Sequence, residues 1–260
     1  MNKTRVGVLG LGTYLPSKIL TNKDLEKMVD TTDEWITSRT GIKERRIAED
    51  NVTTSDMAAE AAKKAINSAG IKPENLDLII VATITADTVF PSTACLVQKK
   101  LGATNAACFD ISAACAGYVY AMTIAKQFIE NGTYKYALVI GSEKLSSITD
   151  WKDRNTCVLF GDGAGAAVLG KVKRGGILAT YLAADGSKAN LLYLPGGGSL
   201  NPASHKTIDE RLHYIKMEGS ELFKIAVKVM ADAGNKVFQM SGSGCKDIAC
   251  VIPHQANIRI

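Results

Sequence analysis

Short unbroken apolar runs alternate along the chain with stretches in which apolar residues recur every three or four positions, the pattern of strands and helices taking turns. Residues 76–83, LDLIIVAT, and 136–141, YALVIG, are continuous apolar runs of the kind found inside parallel sheets. Residues 5–13 predict a first strand, with Pro16 opening a turn. Residues 56–69 put Met57, Ala61, Ala62, Ala65, Ile66 and Ala69 on one side of a helix that Gly70 closes, and residues 93–101 predict another. Thr21-x-x-Asp24 and Thr31-x-x-Glu34 both fit a capping box, the second opening a short helix over about 33–39 that stops at Gly41. From Gly175 strands begin again with ILATYLAAD, followed by LLYLPGGGS as a hairpin or loop. Residues 221–231 are helical, with Leu222, Ile225, Ala226, Val229 and Met230 inward, and residues 247–252, DIACVI, predict a last buried strand.

The chain pivots on residues 108–122, CFDISAACAGYVYAM. A strand over 108–112 must turn into a helix over 118–129, and Cys115 sits at that turn among Ala113, Ala114, Ala116 and Gly117. Free N–H groups at a helix start favour negative charge, which predicts a lowered thiol pKa and donors for an oxyanion. Two readings fit Cys115: an activated nucleophile, or a small core cysteine that packs as a hydrophobe.

Composition narrows the field. The 260 residues are 46% hydrophobic and 22% charged, as in an ordinary globular protein, and the formal charge of +5 suits an anionic ligand or acidic partner. Dense basic runs of a nucleic-acid binder are missing; the one local cluster, KERR at 43–46, reads as a solvated turn. No apolar run reaches the length of a bilayer span. The six cysteines include no CxxC pair, which predicts reduced thiols in the cytoplasm and no zinc site. Gly10-Leu11-Gly12 lacks the third glycine and following helix of a dinucleotide site, and FGDGAGAAVLG at 160–170 reads as a tight turn between strands, not a phosphate loop.

Three further side chains bear on chemistry. His254 follows the predicted strand over 247–252, where open α/β sheets keep their reactive groups; it is either Cys115's partner or a satisfied core histidine. Trp35 and Arg39, four apart, share a helix face. They form either a platform for an aromatic base and a phosphate, or a half-buried Trp covered by an Arg.

The segments TNKDLEKMVDTTDEWITSRTGIKERR, FPSTAC, SAACAGYVYA, FGDGAGAAVL, KMEGSELFKIAV and IPHQANIRI together resemble β-ketoacyl-acyl carrier protein synthase III, over essentially the whole chain. This resemblance implies an α/β thiolase-like fold, two pseudo-repeated halves layered α-β-α-β-α in a homodimer. The halves would span residues 1–172, carrying Cys115, and 173–260, carrying His254. It implies an acyltransferase that initiates type II fatty acid synthesis without a cofactor. Cys115 would be acylated by acetyl-CoA or another short acyl-CoA. Condensation with malonyl-acyl carrier protein would then give 3-oxoacyl-acyl carrier protein, CO2 and CoA. Thr31, Trp35, Arg39 and Arg154 match positions that hold coenzyme A, with the adenine between Trp35 and Arg154. Gly219, Phe223 and Asn257 match the substrate channel, and Phe90 the loop reaching the neighbouring subunit's acyl pocket. Lys224, Lys228 and Arg259 match a basic rim for the carrier protein.

One departure stands out. The family's third catalytic residue, an asparagine downstream of HQAN, has no counterpart before Ile260, so the second half is expected to be incomplete, and Asn257 is not that residue. Two alternatives follow: a fragment that binds coenzyme A or carrier protein without catalysis, and a non-decarboxylating thiolase-fold enzyme.

Overall fold

The computed structural model describes residues 4–260. In chain order the elements are β1 (Val6–Tyr14), β2 (Lys18–Thr21), α1 (Asn22–Leu25), α2 (Asp33–Thr40), β3 (Glu44–Ile47), α3 (Thr54–Ala69) and β4 (Leu78–Ala82). They continue with α4 (Thr93–Leu101), β5 (Ala107–Ile111), α5 (Gly117–Glu130), β6 (Ala137–Lys144), α6 (Arg154–Cys157) and β7 (Asp162–Lys171). The remainder holds β8 (Leu192–Tyr193), α7 (His205–Asp209), β9 (Lys216–Met217) and α8 (Gly219–Ser241). Two compact units divide these residues, one made of 4–18, 46–144 and 162–182, the other of 19–45, 145–161 and 183–260.

The first unit is a five-stranded sheet in the order β1-β7-β6-β4-β5. β4 runs parallel to both β5 and β6, whereas β7 is antiparallel to β6 and β1. Side chains of a strand alternate between faces, so Ile79 and Val81 of β4 join Met57, Ala61 and Ala65 of α3 and Val97 of α4. Leu78 and Ile80 turn the other way, towards Ala121, Ala125 and Ile129 of α5. A strand covered on both faces gains burial from every residue, which is why its sequence is an unbroken apolar run.

The glycines of β1 serve packing. A Cβ on Gly10 would lie 2.4 Å from the Ala65 carbonyl oxygen, and one on Gly12 2.1 Å from that of Ala61, both in α3. The small faces of α3 and β1 thus meet backbone to backbone. Helix α3 starts on the Thr53–Asp56 capping box and stops at Gly70 in the left-handed conformation.

In the second unit, the Thr21–Asp24 capping box opens α1 as predicted. The cap of α2 is Thr32, whose side chain accepts from Trp35 N–H at 3.1 Å, so the Thr31–Glu34 box does not form. The basic cluster at 43–46 also departs from a solvated turn: it contributes to β3, and Arg45 is only 4% exposed. Arg45 donates through Nε and Nη2 to the Val158 carbonyl at 3.1 and 2.6 Å, and through Nη1 to Asn22 Oδ1 at 2.7 Å. A buried guanidinium is tolerated because its donors are met in this way.

Three expectations for the later part of the chain are corrected. Residues 177–185 form no regular strand, and only the short pair Leu192–Tyr193 with Lys216–Met217 appears beyond them. Residues 248–252 are irregular, and Val251 and Ile252 are exposed. A strand must pair its N–H and C=O groups along its length; the first segment makes a backbone bond at its start, Ile177 N–H to the Val6 carbonyl at 2.8 Å, and among the described residues no ladder includes either segment. Helix α8 runs further than predicted, through Ser241, and none of its residues is buried. Leu222, Ile225, Ala226 and Met230 are half-buried and Val229 is 51% exposed.

Candidate functional site

Strand β5 ends at Ile111, and a single 3-10 turn over Ala114–Ala116 precedes α5. Within that turn Ala114 has φ of 43°, a left-handed value that side chains with a Cβ rarely adopt. The Cys115 residue that follows is exposed. Thus the predicted strand–turn–helix junction is present, with β5 shifted one residue earlier and α5 one residue longer at each end than the apolar pattern indicated.

The electrostatics differ from expectation. The Cys115 thiol pKa is raised: surrounding protein disfavours the thiolate, its own backbone N–H opposes this, and the Glu143 carboxylate adds to it. The donors predicted to lower it are occupied. Ala116 N–H donates to the Ala113 carbonyl at 3.1 Å, and Gly117 N–H to that of Ala114. Cys115 still stands apart from two other described cysteines. Burial pushes Cys108 up to about 12, and Cys157, fully buried, up to about 11.

Glu143, which the sequence reading passed over, lies at the end of β6. Its Oε1 accepts from Ile84 N–H at 2.9 Å, and its Oε2 from the Thr85 hydroxyl at 2.5 Å and the Thr83 hydroxyl at 3.3 Å. Phe90, in the loop before α4, is 83% exposed beside Val89 at 95%. The available sequence signal was a lone acidic residue closing an apolar run, SEK after YALVIG.

The second unit brings Trp35, Arg39 and Arg154 together. The guanidinium of Arg39 lies 4.8 Å from the Trp35 ring centroid and that of Arg154 5.0 Å from it. Arg154 Nη1 also donates to the Asp30 carbonyl at 2.7 Å, which fixes its direction. The buried hydroxyl of Thr31, one residue before the α2 cap, has no hydrogen-bond partner. Polar atoms left in this state are uncommon in proteins.

His254 lies in the irregular segment after residue 247 and is exposed, while nearby protein holds its imidazole pKa below the ordinary 6.5. Asn257 Oδ1 accepts from Arg259 N–H at 2.9 Å, and the Arg259 guanidinium stacks 5.1 Å from the Phe223 ring of α8. Gly219 begins α8 and is half-buried, while Lys224 and Lys228 are exposed on it. Among the described residues no group of three or more His, Cys, Asp or Glu is placed to hold a metal ion. No helix of the described residues is long and apolar enough to cross a membrane.

Comparison with known proteins identifies the family. The sequence profile of 3-oxoacyl-[acyl-carrier-protein (ACP)] synthase III matches residues 109–186, spanning Cys115, Glu143 and Arg154. The chain is 62% identical over 259 residues to the β-ketoacyl-[acyl-carrier-protein] synthase III of Caldanaerobacter subterraneus, covering 99% of this chain and 78% of that protein. It is 58% identical to the synthase III of Natranaerobius thermophilus, with 97% and 78% covered. Among solved structures, 3-oxoacyl-[acyl-carrier-protein] synthase III from Aquifex aeolicus superposes with a TM-score of 0.89 at 51% identity, covering 98% of this chain and 78% of that one. The fold is thiolase-like, and the chain belongs to the β-ketoacyl-[acyl-carrier-protein] synthase III family of condensing acyltransferases.

Proposed function

We propose that Cys115 is the acylated nucleophile of the condensing reaction that initiates fatty acid synthesis, with a short acyl-CoA as first substrate and malonyl-acyl carrier protein as second. The observation that carries this reading is the exposed thiol at the β5–α5 junction, next to a left-handed Ala114. Cys115 Sγ attacks the thioester carbonyl of the acyl-CoA, its proton leaves, and coenzyme A departs as the thiol. The backbone N–H of Cys115, which favours its own thiolate, is assigned as a donor to the oxyanion.

His254 is the proposed second catalytic group. Its lowered pKa keeps the imidazole neutral at pH 7, able to donate one N–H to the enolate oxygen formed as malonyl thioester loses CO2. The enolate carbon then attacks the acyl-cysteine and releases the thiolate, closing the cycle. Thr31, Trp35, Arg39 and Arg154 would bind coenzyme A: the indole supplies a stacking face, and the two guanidiniums supply charge for phosphates. Lining of the channel is assigned to Gly219, Phe223 and Asn257, docking of the acidic carrier protein to Lys224, Lys228 and Arg259.

We also propose two thiolase-like halves, 1–172 and 173–260, and a homodimer in which Phe90 enters the partner's acyl pocket. A cytoplasmic location accords with free thiols at the five described cysteines. The test is mass spectrometry of the chain after incubation with acetyl-CoA. An acetyl adduct on the Cys115 peptide, lost in Cys115→Ala, is expected. No adduct at Cys115 in folded protein would remove the nucleophile. Release of CO2 from malonyl-acyl carrier protein distinguishes this chemistry from a non-decarboxylating relative.

A further inference from the structure

Among the described residues only two other than glycine have positive φ: Ala114 beside Cys115, and Arg211 at 55°. A left-handed arginine is strained, and such strain persists where surrounding contacts over-determine it. The segment after α7, in the second unit, is fixed on its own account. The Thr207 hydroxyl and His213 Nε2 are hydrogen-bonded at 2.9 Å, and Gly196 N–H donates to the Leu212 carbonyl at 2.7 Å. Ile215 N–H donates to the Ile148 carbonyl at 2.9 Å, tying this segment to the one before α6. From here the Arg211 guanidinium reaches Asp150, Nε donating to Oδ2 at 3.1 Å and Nη2 to Oδ1 at 2.5 Å. Its carbon lies 4.7 Å from the Tyr214 ring centroid, so the ring backs the pair.

Asp150 begins the turn that leads into α6. Its Oδ1 also accepts from Lys152 N–H at 3.0 Å, and its carbonyl accepts from Asp153 N–H at 2.9 Å. Asp153 caps α6 in turn, its side chain accepting from Asn155 N–H at 3.0 Å. The first residue of α6 is Arg154, whose guanidinium lies 5.0 Å from the Trp35 ring centroid. One chain of bonds therefore runs from Arg211 through the Asp150 carboxylate and the turn to the residue that faces Trp35. Asp150 is only 6% exposed. The Arg211 hydrogen bonds, ahead of any other influence, hold its pKa below the ordinary carboxylate value, so it stays ionised. A two-pronged guanidinium–carboxylate pair fixes direction as well as distance. The turn's other anchor on this side is weaker, the Trp151 indole N–H donating to the Ser146 carbonyl at 3.2 Å.

We infer that Arg211 is a positioning residue for the nucleotide end of the acyl-CoA, acting through Asp150 to hold the turn that presents Arg154 to Trp35. The inference deepens the proposed function and rests on Trp35, Arg39 and Arg154 as the coenzyme A site. Arg211 acts without touching substrate. The clamp fixes the backbone from which Arg154 extends, so its guanidinium stays within reach of a phosphate when the base takes the indole face. With the clamp removed, the turn samples more positions, and the cost of ordering it falls on binding.

The test is a double-mutant cycle read by isothermal titration calorimetry with free coenzyme A, so that no acyl transfer enters. The four proteins are the parent chain, Arg211→Met, Arg154→Ala and the two together. The Arg211 side chain is 39% exposed, so its truncation opens no core cavity. Arg211→Met is expected to raise Kd by about fivefold in the parent and by less than about twofold where Arg154 is already gone. A merely structural role would weaken binding by the same factor in both backgrounds. Equal factors, or an unchanged Kd in folded Arg211→Met, overturn the clamp alone and leave the coenzyme A site standing. A parent chain without affinity for coenzyme A overturns the site, and the clamp with it. Where Arg211→Met does not fold, Arg211→Met combined with Asp150→Asn, which removes both charges of the pair, takes its place in the cycle and the same outcomes decide.

Discussion

Trp35 carries two loads at the scale of single residues. Its ring packs against Leu25, Ile36, Cys157 and Val158, and two guanidiniums lie within 5.0 Å of its centroid. In the proposed complex the adenine of coenzyme A competes for a face that Arg154 now covers, so binding moves Arg154 aside without losing its charge. Stacking of a base on an aromatic ring is worth about 1–3 kcal/mol. Trp35→Leu keeps the apolar contact and removes that face. Steady-state kinetics are expected to show KM for acyl-CoA rising by about tenfold with kcat little changed. A loss confined to kcat would argue that Trp35 serves the chemistry and not coenzyme A. Adjacency of Trp35 to Arg39 was readable from their spacing; Arg154, 115 positions beyond Arg39, was joined to them only through the family resemblance, and the fold puts its guanidinium 5.0 Å from the indole centroid. Cys115 was readable from its small neighbours, but its raised pKa was not, because it comes first from the protein packed around the sulfur, which only the fold brings there.

Among elements, β1 and α3 show what close packing demands. The Gly-x-Gly of β1 resembled part of a nucleotide motif, yet both glycines face α3, where no side-chain atom fits. Gly12→Ala places a methyl 2.1 Å from the Ala61 carbonyl oxygen, forcing strand and helix apart. Overpacking of this kind costs about 1–3 kcal/mol, more where backbone must move. We expect a loss of about 3 kcal/mol, read as a fall in urea midpoint. Gly165→Ala in β7 is the control, since nothing lies within 4 Å of its added Cβ. An equal loss in both variants would mean that backbone freedom, and not the helix contact, is what these glycines provide. The helix caps at Thr21, Gly41 and Gly70 were readable because each depends on a few neighbouring residues. The displaced cap at Thr32 shows the limit of a pattern that two adjacent threonines satisfy almost equally.

For the molecule as a whole, the open side of the first unit's sheet matters most. β5 ends the strand order, and among the described residues no strand pairs with its outer side. Unpaired edge strands invite another chain, and the exposed Val89 and Phe90 precede the helix that leads into β5. The proposed homodimer predicts a sedimentation mass twice that of one chain at micromolar concentration; a single-chain mass there would remove it. The amino-acid order by itself determined the elements of the first unit and the placing of Cys115 at a strand-to-helix turn, since periodicity, caps and small residues act over a few positions. It also carried the family, through motifs spread from residue 21 to 260. Tertiary structure alone decided that Arg45 is buried and that burial raises the Cys115 pKa. It likewise decided that residues 177–185 and 248–252 are not strands. Apolar sequence makes a segment fit to be a strand, but only a neighbouring backbone offering donors and acceptors makes it one.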